Sequence, residues 1–134
     1  MLVVDTSAVI EVLASSEPNA ALTRRLVQDD DLQAPHLLDI EFLHTLRRLT
    51  FAEKLSQRRA DDVRADYRDL AISRYPQFPF SDRIWQLRHN LTPYDAAFVV
   101  LAETLAAPLV TCDRRVAAAS GHSARVELFD VFSA

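Results

Sequence analysis

TPYDAAFVVLAETLAAPLVTCD, residues 92–113, holds a helix and a strand in immediate succession. Thr92 offers an N-cap hydroxyl, Pro93 suits the first helical position, and Asp95 puts a carboxylate in the first turn. The helix runs to about Ala106, and Pro108 stops it. Leu109-Val110-Thr111 then reads as a buried strand that ends near Asp113. At the start of the chain Leu2-Val3-Val4 is another short apolar run, and it too delivers an aspartate, Asp5.

Outward from these two strands, helices and strands alternate. Thr6-Ser7 places hydroxyls at a turn, and Ala8 to Leu13 reads as helix. Ser16-Glu17-Pro18 starts a helix with its body at Ala20 to Gln28. Leu32 to Pro35 is a second strand. His36 to Thr50 is helical, with Leu38, Phe42, Leu46 and Leu49 as its apolar stripe. Ala52 to Leu70 is charged and helical, in one or two pieces, and Ile72 to Phe80 reads as a short strand and a loop. Ser81 caps a helix to Asn90, and Val126 to Phe129 is a last strand. The alternation predicts an α/β domain over residues 1–134, with a mostly parallel central sheet flanked by helices.

Composition excludes several classes of function. Gly121 is the only glycine, so neither a P-loop nor a dinucleotide fingerprint is present. Cys112 is the only cysteine, which rules out an internal disulfide and a cysteine-based zinc cluster; it reads as a small buried residue. Net charge is −4, so bulk electrostatics do not advertise nucleic-acid binding. The four histidines show no metal-ligand spacing, and Trp85 and the phenylalanines read as core. No apolar run is long enough for a membrane span, and the first residues lack the basic region of a signal peptide. The expected setting is the cytoplasm.

The chemistry lies in the carboxylates. Neighbouring parallel strands lie about 5 Å apart, and ligands bind at their carboxyl ends. Asp5 and Asp113 can therefore converge there. Asp95 in a first turn points back toward the same edge, a position compatible with capping. Glu41 borders the apolar stripe of its helix; Asp39 lies about 200° around the axis from it, so only one of the two can share the pocket. Periodicity does not choose between them. Two full charges 4 Å apart repel by about 4 kcal/mol at an effective dielectric near 20, and a hard divalent cation removes that cost.

Val3-Val4-Asp5-Thr6-Ser7-Ala8, Glu41 with Leu46-Arg47-Arg48, Leu91-Thr92-Pro93-Tyr94-Asp95-Ala96-Ala97, and Leu109-Val110-Thr111-Cys112-Asp113-Arg114-Arg115 together resemble the motifs of PIN-domain ribonucleases. The compact length and Tyr94-Asp95-Ala96 resemble the VapC toxins of bacterial toxin–antitoxin modules. The resemblance implies an endoribonuclease with Asp5, Glu41, Asp95 and Asp113 as its catalytic quartet, favouring Glu41 over Asp39. It implies Mg²⁺ or Mn²⁺ held by Asp5, Asp95 and Asp113, with support from the hydroxyls of Thr6, Ser7 and Thr111. A VapB-type antitoxin, an RNA substrate and a homodimer follow as expected partners. Arg47, Arg48, Arg88, Arg114 and Arg115 are candidates for holding RNA phosphates.

Three other readings compete. Aspartyl-phosphate proteins need a lysine beside the phosphoryl group, and the sole lysine, Lys54, lies far in sequence from either strand end. A binding module that had lost its chemistry would not need an intact quartet. A structure-specific DNA nuclease would need room for a DNA-bending appendage, which this length does not offer.

Overall fold

The computed structural model describes residues 1–131; the last three residues of the expected domain, 132–134, lie outside that description. Five strands form one sheet: β1 (Leu2–Val4), β2 (Leu32–Pro35), β3 (Ile72–Tyr75), β4 (Leu109–Thr111) and β5 (Val126–Leu128). Their order is β3-β2-β1-β4-β5 and every pairing is parallel. From β1 the chain builds outward to β2 and β3 on one side, then returns to place β4 and β5 on the other. The crevice beside β1 is thus the point where the winding reverses, the place where such sheets bind ligands.

The helices are α1 (Thr6–Ala14), α2 (Ala20–Gln28), α3 (Leu37–Phe51), α4 (Gln57–Asp69), α5 (Ser81–Gln86), α6 (Pro93–Leu105) and α7 (Arg114–Ala118), with a 3₁₀ turn at Phe78–Phe80. β1 and β4 are fully buried, as their unbroken apolar runs require. Helix α6 is buried continuously from Ala96 to Ala102, which is why its sequence carries no polar face there. Leu38, Phe42 and Leu46 of α3 enter the core as the stripe predicts, while Leu49 is only partly buried and outside it. Cys112 is buried as expected, and burial pushes its thiol up to about 12. Among the described residues no helix is long and apolar enough to cross a membrane.

Local chemistry explains the departures from expectation. Asn19, not the Ser16-Glu17-Pro18 segment, caps α2, accepting from the Leu22 N–H. Ser56 caps α4, so Ala52–Leu55 is a turn and the charged stretch yields one helix. Ser81 is not a cap; its hydroxyl donates to the Phe78 carbonyl, and α5 ends at Gln86. Trp85, Phe51 and Phe78 were expected in the core but are exposed. Each of the first two has an arginine on one face of its ring: Arg88 lies 4.6 Å from the Trp85 ring and Arg47 4.3 Å from the Phe51 ring.

Helices α3 and α6 both end in a left-handed residue without glycine. Glu53 has φ 58° and Ala106 has φ 51°. At the first, the Lys54 N–H donates to Leu49 O and the Glu53 N–H to Thr50 O. At the second, the Ala107 N–H donates to Ala102 O and the Ala106 N–H to Glu103 O. Both are Schellman closures, with the left-handed residue bearing a side chain at a cost of about 1–2 kcal/mol.

Candidate active site

Asp5 stands where β1 gives way to α1. Its Oδ1 accepts from the Ala8 N–H at 3.0 Å, capping that helix, and from the Ser7 hydroxyl at 2.7 Å. Its Oδ2 accepts from the Thr111 hydroxyl at the end of β4. The β1–β4 pairing makes this contact possible, since it sets Val4 beside Val110. Ser7 Oγ also accepts from the Cys112 N–H at 2.9 Å, and Thr111 Oγ1 from the Asp113 N–H at 3.0 Å. The two hydroxyls thus tie both strand ends to one carboxylate.

Glu41 faces the same cavity from α3, where its Oε1 accepts from the Thr6 hydroxyl at 2.6 Å. Asp39 points elsewhere, to the Tyr67 hydroxyl and to Arg74 at 2.9 Å. Asp95 enters from the first turn of α6, where Thr92 accepts from its N–H at 3.2 Å, so the predicted cap is present. Asp113 caps the five-residue helix α7, which periodicity did not resolve, and pairs with Arg115 at 2.9 Å.

All four carboxylates line one cavity of about 1110 Å³ at the carboxyl edge of the sheet. Burial pushes Asp5 up to about 6, with the Asp95 charge adding to it against the opposing hydroxyl and N–H bonds. Burial also raises Glu41, and Asp95 raises it further. Asp95 is raised by burial and then by Asp113. Burial would raise Asp113 too, but hydrogen bonds from Arg115 outweigh it and hold that carboxyl below the usual value.

Of the arginines proposed for RNA, Arg48 and Arg114 line the cavity, and Arg114 pairs with Asp130. Arg47 and Arg88 lie on aromatic rings, and Arg115 is engaged by Asp113. Glu11, which accepts from the Asn19 N–H, His44 and Lys54 also line the cavity, outside the predicted site residues. Lys54 was set aside for its distance along the chain, yet the fold returns it to the cavity.

A family model described as PIN domain matches residues 2–121. This chain belongs to the PIN-domain family. Its curated relatives include Ribonuclease VapC1 of Mycobacterium tuberculosis, 41% identical over 94% of this chain and 96% of the relative. Ribonuclease VapC12 of the same organism is 37% identical over 96% of this chain and 98% of the relative. Those alignments span this PIN domain almost end to end and place it among the VapC ribonucleases. The solved structure of FitAcB from Neisseria gonorrhoeae shares the fold, with TM-score 0.67 and 14% identity over 94% of this chain and 96% of that one.

Donor chemistry in this PIN domain suits a hard cation, because all four acids offer oxygen. Among the described residues neither Glu41 nor Asp95 forms an ion pair, although both are partly buried and each is raised by a neighbouring carboxylate, Glu41 by Asp95 and Asp95 by Asp113. The charges of His44 on Glu41 and of Arg115 on Asp95 offset theirs only in part, since both carboxyls stay raised. As the side chains stand, however, no three acidic, histidine or cysteine groups among the described residues are grouped to hold one ion. Asp113 is turned to Arg115, and both Asp5 oxygens are engaged by hydroxyls.

Proposed function

We propose that this chain is a metal-dependent endoribonuclease, the toxin of a toxin–antitoxin pair, hydrolysing RNA phosphodiester bonds within this cavity. One observation carries the reading. Carboxylates from four separate segments face one cavity, and three of them are held above their ordinary pKa by burial and by one another. Such mutual repulsion is costly unless a cation is bound.

Asp5, Asp95 and Asp113 would hold Mg²⁺ or Mn²⁺, with Asp113 released from Arg115. When bound, such an ion polarises the phosphate and lowers the pKa of a water. Ser7 and Thr111 fix the rotamer of Asp5 through their hydroxyls. Thr6 fixes Glu41 in the same way. Glu41, raised and free of a cationic partner, is the group suited to take the proton of the attacking water.

The partner that silences such a toxin would be a VapB-type antitoxin. Its inhibitory segment fits as a helix over the apolar part of the cavity, where Ile10, Leu37, Ile40 and Leu55 lie. An arginine from it could meet the carboxylates bidentately in place of metal. A symmetric homodimer in the cytoplasm completes the proposal.

Incubation with total cellular RNA, with and without Mg²⁺, followed by mapping of new ends, tests the chemistry. Cleavage is expected only with the ion and only with Asp5 intact. Expression in a host should slow growth, Asp5→Asn should not, and the product of the adjacent small gene should restore growth and co-purify. Growth arrest by the Asp5→Asn form would contradict the nuclease reading. Harmless expression of an active wild-type enzyme would contradict the toxin assignment alone.

A further inference from the structure

The cavity is charged in two opposite senses. Its acids sit at the sheet edge, while Arg48 and Lys54 line it from the last turn of α3 and the turn beyond. Arg48 lies seven residues after Glu41, two helical turns or about 10 Å along the axis. His44, between them, lines the same face. Among the described residues neither Arg48 nor Lys54 forms an ion pair, whereas Arg114, also on the cavity, is engaged by Asp130. Other arginines of the described residues also lack an ion pair, but Arg48 and Lys54 stand on the wall of the cavity that holds the acids, and so give a cavity of a net-acidic chain a positive arm.

Lys54 reaches this wall through the strained turn. Left-handed Glu53 and the bond from the Lys54 N–H to Leu49 O fold the chain back over the end of α3. Glycine would form the same turn with less strain. The closure therefore returns the sole lysine of the sequence to the cavity.

We propose that Arg48 and Lys54 form a phosphate-binding subsite that holds a neighbouring nucleotide of the RNA strand whose scissile bond lies at the acids. This rests on the ribonuclease reading above. The scissile phosphate belongs at the acidic end, beside a cation; the phosphates that follow it carry no metal and need protein charge. Arg48 supplies a fork for two phosphate oxygens and Lys54 a point charge. They are positioning residues, and they set the direction in which the strand leaves the acids along α3.

The test measures affinity for a fluorescein-labelled oligouridylate in EDTA across a series of salt concentrations. Each lost phosphate contact on single-stranded RNA lowers the slope of log affinity against log salt by about 0.7. Arg48→Gln and Lys54→Gln should each lower it by that amount, and the double variant by about twice as much. Lys54→Arg should keep the wild-type slope, and so should Arg24→Gln on the exposed face of α2. Cleavage by wild type in Mg²⁺ is scored first; if RNA is neither bound nor cut, the ribonuclease reading falls and this inference with it. If wild type cuts RNA while both glutamine variants keep the wild-type slope, only the subsite is overturned. If those variants lose affinity for polyglutamate but not for RNA, the wall is a docking surface for an acidic protein segment, and the proposal is likewise overturned.

Discussion

Replacing Asp5 by asparagine removes a buried carboxylate that, among the described residues, has no cation paired to it. In the metal-free protein its pKa moves from an ordinary 3.8 to about 6. At about 1.4 kcal/mol per pH unit, keeping it ionised at pH 7 costs about 3 kcal/mol of stability. Asparagine keeps one carbonyl oxygen for the Ala8 N–H and the Ser7 hydroxyl, but presents an amide to Thr111 Oγ1, so one hydrogen bond must reverse. That reversal costs about 1 kcal/mol, leaving Asp5→Asn about 2 kcal/mol more stable than wild type at pH 7 in EDTA. The sign follows from proton binding. Between the ordinary and raised pKa the folded state holds the proton, so wild-type stability falls as pH rises through about 6. The gain should therefore shrink toward pH 4 and give way to the hydrogen-bond loss. Urea melts of both proteins in EDTA at the two pH values measure it. Added Mn²⁺ should then raise the wild-type Tm and leave the variant nearly unmoved. A variant less stable than wild type by the same amount at both pH values would refute the claim that Asp5 is held against its electrostatic preference.

Other substitutions separate folding from chemistry. Asp95→Asn should abolish RNA cleavage without lowering metal-free stability, whereas Thr92→Ala, which removes the α6 cap, should cost about 1 kcal/mol in denaturant melts. Thr111→Val removes a donor to Asp5 and an acceptor for the Asp113 N–H; it should cost about 1–3 kcal/mol and move the acid limb of the cleavage profile to higher pH, because Asp5 loses a bond that lowers its pKa. Glu103, held down to about 2 by Arg83 and by Ser123, stabilises the loop before β5. Glu103→Gln should therefore cost about 2 kcal/mol near neutral pH, a difference that shrinks as pH falls below 4.5 toward 2.

The chain carries its sheet openly because β1 and β4 are buried on both faces and so read as unbroken apolar runs. Their terminal aspartates follow from the same pattern, and the cap of α6 from side-chain chemistry within three residues. What stayed hidden depends on partners distant in sequence. The choice between Glu41 and Asp39 is made by Thr6 on one side and by Tyr67 and Arg74 on the other, none of them visible in the periodicity of α3. Lys54 looked remote because its return depends on a left-handed residue at Glu53, where no glycine marks the turn. Helix α7 has five residues, too few for a period to show. Trp85 and Phe51 look like core residues in the sequence, but their rings lie exposed, each with an arginine against one face.

The contact between Thr111 and Asp5 joins residues 106 positions apart. Asp5 is synthesised first, but its second oxygen has no partner until β4 has been made and laid beside β1. Asp113 arrives with the same strand end. At translation rates of about 5–20 residues per second, roughly ten seconds separate the first acid from the last. Throughout that interval the emerging chain holds an incomplete set of acids. If the four acids act together as proposed, this delay would leave the site incomplete beside the ribosome and the messenger that encode it.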